Sequence, residues 1–310
     1  MSALAIVNPR SGGGRTRREW PKIERALRNA YPGLEIAMTR SRGDATRLVV
    51  DALSAGHSEF VAVGGDGTIN EVVNGFFGPD GPSAPDAVFA FVTSGTGGDF
   101  RKTFGVDAGY ETAIARLRSA SVRAIDVGRL SCLSRSGAPV TRHFVNIGSF
   151  GLSGVIVDSV NRARIARLFG GTFAFAFHSA RAMLFYREPM VRLRIDGHFD
   201  ERATIATVAV ANGQYFGGGM RVAPGAVPDD GLFDVVVMGG AGRGVADLKL
   251  LYSGGHIDTP GVRVVRGRKV VAAPVAETGG RAVLIEVDGE SAGRLPATFE
   301  ILPRALRVRC

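Results

Sequence analysis

Along the first part of the chain, short apolar runs alternate with stretches whose apolar residues recur at helical spacing. The run "LAIV" (residues 4–7) is followed by a glycine-rich turn and a charged, helix-compatible segment over 17–30. "EIAM" leads into "TRSRGDATRLVVDAL", where Leu48, Val49 and Ala52 fall on one helical face. "FVAVGG" (60–65) leads into a helix with Ile69, Val72, Val73, Phe76 and Phe77 at i, i+3, i+4, i+7 and i+8, the pattern of one face packed on a sheet. "VFAFV" again ends in glycine and threonine. Repeated β-α units of this kind predict an α/β N-terminal domain with a mostly parallel, covered sheet.

After "AIDVGRL" the rhythm changes, and strands follow one another through turns: "HFVNIG", "MVRLRIDG", "TIATVAVANG", "LFDVVVMGG", "VRVVRGRKVVAA" and "AVLIEVDG". This predicts a C-terminal antiparallel β domain. The expected boundaries are 1–128 and 129–294, with 295–310 packing back onto the first domain. One helical interruption, over about 155–186, carries Arg162, Arg164 and Arg167 followed by "LFGGTFAFAFHSARAMLF". It reads as a core-packing helix with a solvated basic start, or as a membrane-facing element.

Composition narrows the partners more than the fold. A chain of 310 residues with 45% hydrophobic content has room for two domains of ordinary size. Lys plus Arg outnumber Asp plus Glu by 38 to 29, a net charge of +9 that favours anionic partners such as nucleotides or acidic membrane surfaces. No basic run interleaved with aromatics points to nucleic acid, so none is expected as a partner. Two cysteines, Cys132 and Cys310, are too few for a disulfide framework and suit a reducing, cytoplasmic setting. The N-terminus turns polar too soon for a signal peptide, and no apolar run reaches the ~18 residues of a spanning helix.

Three strand-to-helix turns are rich in glycine: "NPRSGGGR", "GGDGTIN" and "SGTGGDF". Such turns let backbone N–H groups approach an anion at a helix start, and in a parallel sheet the strand ends gather them on one edge. Neither G-x-G-x-x-G after the first strand nor a Gly-Lys pair is present, which excludes the usual P-loop. Thr68 and Glu71 have the spacing of a plain capping box, yet that reading leaves Gly64, Gly65 and Gly67 around Asp66 unexplained. Near the end, Gly289-Glu290-Ser291-Ala292-Gly293 matches the nucleophile elbow of serine hydrolases. That elbow needs a following helix and a later His; Pro296 and the strand-like "TFEIL" follow instead, with no His among the last residues.

Taken in order, "NPRSGGGR", "GGDGTINEVVNG", "SGTGGDF", "IDVG", "FVNIGSFG", "PDDGLFDV" and the closing "VDGE" resemble, nearly end to end, the diacylglycerol kinase catalytic-domain family, with its bacterial lipid kinases and sphingosine kinases. The resemblance implies an N-terminal α/β domain and a C-terminal antiparallel β-sandwich domain. It also implies an ATP-dependent kinase of a lipid hydroxyl, diacylglycerol or a related lipid, in phospholipid biosynthesis. ATP is expected at Asn8, Pro9, Arg10, Ser11, Gly12, Thr39, Gly64, Gly65, Asp66, Gly67, Thr68, Ile69, Asn70 and Thr96. Asp66 is expected to hold the catalytic Mg2+, with Asp126 in the same acidic network. A second, structural Mg2+ is implied at the Val227 carbonyl, the Asp230 side chain and the Leu232 carbonyl, where a plain Asp-Gly hairpin is the alternative. Glu290 matches the family's general base. One departure stands out: Gly98 replaces the asparagine common in the third loop, which could loosen it. The expected partner is a lipid substrate met peripherally at the inner membrane face, and a homodimer is open. Alternatives are a kinase of a soluble hydroxyl, as in NAD kinase, or a nucleotide-sensing, membrane-binding pseudokinase.

Overall fold

The computed structural model describes residues 3–78, 81–94, 98–106, 109–162, 186–239, 248–275 and 282–310. The chain divides into two compact units: Met1–Val127 with Gly217–Gly219 and Leu302–Cys310, and Gly128–Phe216 with Met220–Ile301.

In the first unit the chain runs β1 (Ala3–Val7), α1 (Ser11–Ala30), β2 (Glu35–Met38), α2 (Asp44–Ser54), β3 (Glu59–Gly64) and α3 (Asp66–Gly75). A two-residue-strand hairpin, β4 (Phe77–Gly78) and β5 (Gly81–Pro82), precedes β6 (Val88–Thr93), α4 (Asp99–Thr103), α5 (Tyr110–Leu117) and the start of β7 (Val122–Leu133). β2, β1, β3 and β6 lie side by side and all parallel, and near the C-terminus Arg307 and Val308 pair in parallel with Val88 and Phe89 of β6. β1 is buried along its whole length, and β3 and β6 in all but their first residue, as a sheet covered on both faces demands. Period two then sorts the side chains. Ala3, Ala5, Val7, Val61, Val63, Ala90 and Val92 pack with Ile23 and Leu27 of α1 and Ile114 and Leu117 of α5. On alternate positions, Phe60 and Phe89 join Phe76, Phe91, Phe100 and Phe104 in a chain of ring contacts 5.0–6.4 Å between centroids. Gly12, Gly13 and Gly14 have φ of +58°, +64° and +85°, so regular helix begins only at Arg15. The C-terminal segment is anchored by Arg309 Nε, 2.8 Å from Glu59 Oε1, which also accepts from the Tyr31 hydroxyl at 3.0 Å.

The second unit continues β7 into β8 (Pro139–Phe144), β9 (Ile147–Gly151), α6 (Leu152–Arg162), β10 (Met190–Ile195), β11 (Phe199–Thr204), β12 (Thr207–Ala211) and β13 (Phe233–Met238). Then come α7 (Leu248–Ser253), a 3-10 turn (Gly255–Asp258), β14 (Val262–Gly267), β15 (Lys269–Pro274), β16 (Leu284–Val287) and β17 (Glu290–Arg309). The pairings within this unit are antiparallel: β14-β13-β12-β9-β16-β17 in one direction and β11-β10-β15-β17 in the other. One core, built on Phe144, Phe150, Val208, Val210, Phe233 and Val235 with Leu193, Ile195, Val270 and Phe299, draws on both sets, the arrangement of a sandwich.

Two expected strands are broken in the structure, each by a carboxylate. "HFVNIG" divides into β8 and β9 because the amides of Val145, Asn146 and Ile147 turn to the side chain of Asp288, 3.1 Å away in each case. "VRVVRGRKVVAA" divides into β14 and β15 because the Arg268 and Lys269 amides donate to Asp196 at 2.8–3.2 Å. The expected helix near 155–186 is α6 over Leu152–Arg162; the remainder up to 185, with Arg164 and Arg167, lies outside the described residues, as does the side chain of Arg162. Among the described residues no helix is long and apolar enough to cross a membrane.

Candidate active site

The parallel sheet carries the expected nucleotide residues to one edge. Asn8, Thr39, Gly65 and Ser94 each follow a strand end, and the ladder runs on through Asn8 N to Val63 O (2.9 Å), Thr39 N to Val7 O (2.8 Å) and Ser94 N to Gly64 O (2.9 Å). Side chains interlock the loops. Asn8 Nδ2 donates to Thr68 Oγ1 at 3.0 Å, and Asn8 Oδ1 accepts from the Arg10 amide at 3.0 Å. The Ser11 hydroxyl lies 3.2 Å from that of Ser94, and both contact the Thr16 hydroxyl. Pro9, Arg10, Gly12 and Gly67 stay partly or well exposed beside them, whereas Ile69 and Asn70 turn inward, at 1% and 6% exposure. Ile69 therefore belongs to the core and can offer a ligand only backbone. Thr96 lies outside the described residues.

The capping-box alternative for Thr68 and Glu71 is not what forms. Thr68 is taken by Asn8, and Glu71 reaches another helix, accepting from Gly43 N at 2.8 Å and Ala45 N at 3.3 Å at the start of α2. Asp66 opens α3, and its carboxylate accepts from the amides of Asp99 at 3.2 Å and Phe100 at 3.4 Å, tying the second glycine loop to the third. Burial first, and then the neighbouring Asp99 carboxylate, push the Asp66 pKa above its ordinary value. Asp99 in turn accepts from Gly218 N at 2.8 Å and pairs with Lys102 Nζ at 3.4 Å. Asp126, expected as the partner of Asp66, is fully buried and accepts from the Arg304 amide at 2.7 Å; the carboxylate facing Asp66 is Asp99.

Two neighbouring carboxylates offer the hard oxygens Mg2+ takes, so the Asp66–Asp99 pair fits that ion once Lys102 Nζ, 3.4 Å from Asp99 Oδ1, turns aside. Among the described residues no group of three or more His, Cys, Asp or Glu side chains is placed to hold a metal, so phosphate oxygens would have to complete its shell. The second implied site does not fit an ion. Leu232 N donates to Asp230 Oδ1 at 3.0 Å, while Arg266 donates to Asp230 Oδ2 and, at 2.8 Å, to Asp234 Oδ1. A guanidinium already stands against the carboxylate that the metal would need, and Val227 is 41% exposed.

The third loop explains its own departure from the family pattern. Gly98 has φ +63° and ψ 42°, the left-handed region, immediately before α4. Glycine enters that region freely and asparagine is the side chain that tolerates it best, so the exchange preserves a backbone conformation.

Glu290 belongs to the second unit, at the end of a hairpin built in layers. Val287 pairs with Glu290 across a two-residue turn whose Asp288 and Gly289 both have positive φ, +48° and +82°. That is the left-handed turn for which Asp-Gly is suited. The Asp288 side chain turns back to collect three consecutive amides of 145–147, so the "FVNIG" motif is the cradle of this turn. Behind it lies Glu286, fully buried, accepting from Gly289 N at 2.9 Å and bonded by the Ser149 hydroxyl. Burial pushes its pKa up to about 8, with Asp288 and Glu290 adding to the rise. Glu290 itself is half-buried at the start of β17. Ser291 follows it along the same strand, which continues to Arg309, so no helix follows the serine and the esterase elbow is not formed.

Sequence reasoning did not single out Asp99, Ser94, Glu286 or Ser149. A signal existed for two of them: Asp99 is the acid of "GGDF", and Glu286 is the one charged residue of "VLIEV".

Residues 2–130 match the family described as "Diacylglycerol kinase catalytic domain", and residues 146–310 match the "YegS C-terminal NAD kinase beta sandwich-like domain". The chain is similar to a Pseudomonas fluorescens protein named "Probable lipid kinase YegS-like", with 30% identity over 91% of this chain and 87% of that one. It is similar to a "Diacylglycerol kinase" of Staphylococcus haemolyticus, with 26% identity over 99% of this chain and 87% of the other. A solved structure of a Bacillus anthracis diacylglycerol kinase, 22% identical, superposes with a TM-score of 0.70 over 99% of this chain and 96% of its own, a likeness of fold.

Proposed function

The chain belongs to the diacylglycerol kinase catalytic-domain family, and from that premise we propose that it transfers the γ-phosphate of ATP to a lipid hydroxyl, that of diacylglycerol or a related lipid. The observation that carries the reading is the Asp288–Glu290 hairpin. A half-buried carboxylate is presented by a turn whose backbone is fixed from two sides, as a general base needs. The glycine loops of the first unit suit the nucleotide. Backbone amides at strand ends, with the Ser11 and Thr68 hydroxyls and Asn8, suit the phosphates. Mg2+ at Asp66 and Asp99 would neutralise charge on the transferring phosphoryl group. Glu290 takes the proton of the lipid hydroxyl as its oxygen bonds to the γ-phosphorus; the bond from that phosphorus to the β-γ bridging oxygen breaks, and ADP leaves. The net charge of +9 favours approach to an anionic membrane surface from the cytoplasmic side.

The test is incubation with labelled ATP and vesicles containing diacylglycerol, monoacylglycerol, a sphingoid base, ceramide or phosphatidylglycerol, with NAD in parallel. The expected product is a labelled lipid. Glu290→Gln should lower turnover by roughly 10²–10⁴-fold, the usual contribution of a positioned base, while leaving ATP affinity unchanged. Labelled NADP without labelled lipid overturns the reading in favour of a soluble acceptor.

A further inference from the structure

The base turn holds a second acid to which the proposed mechanism gives no task. Glu286 lies in β16 between Ile285 and Val287, whose side chains enter the sandwich core on the opposite face, and all three are 1% exposed. One of its oxygens accepts at 2.9 Å from Gly289 N, the N–H of the Asp288–Gly289 peptide at the centre of the turn, one residue before Glu290. The other meets the Ser149 hydroxyl, which stands 2.8 Å from the Ser153 hydroxyl at the start of α6. We propose that Glu286 is a positioning residue for Glu290, fixing the Asp288–Gly289 peptide at the centre of the turn and so the direction in which the chain delivers the base. The inference rests on the reading of Glu290 as base.

The surroundings favour the neutral acid. From its own hairpin Glu286 faces Asp288 and Glu290, both acidic; from β9 and α6 it meets the serine hydroxyls, and no cation is among the groups that shift it. With the proton on Glu286, the chain runs in one direction: Glu286 donates to Ser149, and Ser149 donates to Ser153. The second oxygen still accepts from Gly289. Ionised, the same carboxyl would have only the Gly289 amide and the Ser149 hydroxyl to offset its burial and two neighbouring carboxylates, which strains the turn.

The sign of the pH dependence follows. A folded pKa of about 8 above an ordinary 4.5 means that Glu286 contributes stability in full below about 4.5 and loses it as the pH rises to about 8. Glu286→Gln keeps an acceptor for Gly289 and a donor for Ser149 but cannot ionise. Its Tm relative to the unaltered protein should therefore climb from pH 5.5 to pH 8.

The deciding experiment measures kcat, KM for ATP and Tm against pH for the protein and for its Glu286→Gln, Glu286→Ala and Glu290→Gln variants. We expect Glu286→Ala to lower kcat at neutral pH by about tenfold or more with KM for ATP held, and Glu286→Gln to recover most of that loss. The fall in turnover as pH passes about 8 should vanish in Glu286→Gln. Should Glu286→Ala fail to fold, the Gln variant carries both pH readouts. Unchanged kcat in the Glu286 variants while Glu290→Gln is inactive overturns this inference alone, as does a Gln variant that keeps the alkaline fall and a constant Tm difference. Full activity in Glu290→Gln overturns the base reading and this inference with it.

Discussion

Asp66 and Asp288 each gather consecutive backbone amides from a distant loop, and the two do it differently. Asp66 accepts from the Asp99 and Phe100 amides at 3.2 and 3.4 Å and from the Gly98 amide, while burial first and then the neighbouring Asp99 carboxylate raise its pKa. Asp288 holds three amides at 3.1 Å each, on a turn backed by a carboxyl that is bonded at both oxygens. The first arrangement is the looser one: its bonds to Asp99 and Phe100 are longer, and two carboxylates stand side by side with Lys102 as the cation paired to Asp99. The second is saturated. A region that must admit and release a nucleotide can be left adjustable, whereas a base must already point where the proton will be.

Removing each carboxylate tests that contrast most severely. Asp288→Ala leaves three amides of a buried segment without an acceptor, and at ~1 kcal/mol or more for each it should cost about 3 kcal/mol of unfolding free energy. Turnover should be lost with it, because the turn carrying Glu290 loses its cradle. Asp66→Ala should cost less, about 1–2 kcal/mol, since the bonds it loses are longer and the repulsion from Asp99 goes with them, although turnover should fall. Urea unfolding of both variants reads the difference. Equal losses would break the comparison.

The next largest effect concerns Arg266, which joins Asp230 and Asp234 in the second unit. Asp234 is 5% exposed and its pKa is raised, by burial first, against the lowering effect of Arg266. Arg266→Met would leave that carboxylate without its cation. The guanidinium is about half exposed, so the expected cost is about 1–2 kcal/mol rather than that of a fully buried pair. In the unaltered protein the guanidinium takes the place of the implied structural metal, so Mg2+ or EDTA should leave the Tm of this unit where it is. A rise in Tm with Mg2+ would show that an ion displaces Arg266.

What the sequence revealed of these regions followed from locality. β-α alternation and the "FVAVGG" and "VFAFV" runs exposed the parallel sheet, because a strand buried on both faces is apolar throughout and its helix shows its own period. The glycine loops were legible because a strand followed by glycine and a helix is a local pattern. Asp66 beside Asp99, and Glu286 against Ser149, were not, since 33 and 137 positions separate those partners and only tertiary folding joins them. The same limit hid the breaks in "HFVNIG" and "VRVVRGRKVVAA". Nothing within either stretch says that a carboxylate from elsewhere will take its amides.

The last contrast returns to the adjustable side, at Gly98, where the asparagine variant has the smallest expected effect. Its left-handed backbone precedes α4, whose first amides Asp66 receives, so a residue that resists that conformation should loosen the third loop and not the sheet. A Cβ added there would approach Arg101 Nε to 2.6 Å and displace a side chain whose Nη1 holds the Val106 carbonyl at 2.7 Å. Gly98→Asn should therefore cost about 0.5–1 kcal/mol, most of it from Arg101, with little change in KM for ATP. Gly98→Val adds the ~1–2 kcal/mol penalty of a left-handed L-residue, and it should raise KM for ATP as the loop leaves Asp66. Thermal unfolding with ATP titration of the two variants checks this. If valine proved as mild as asparagine, backbone conformation would not be what glycine and asparagine share at this position.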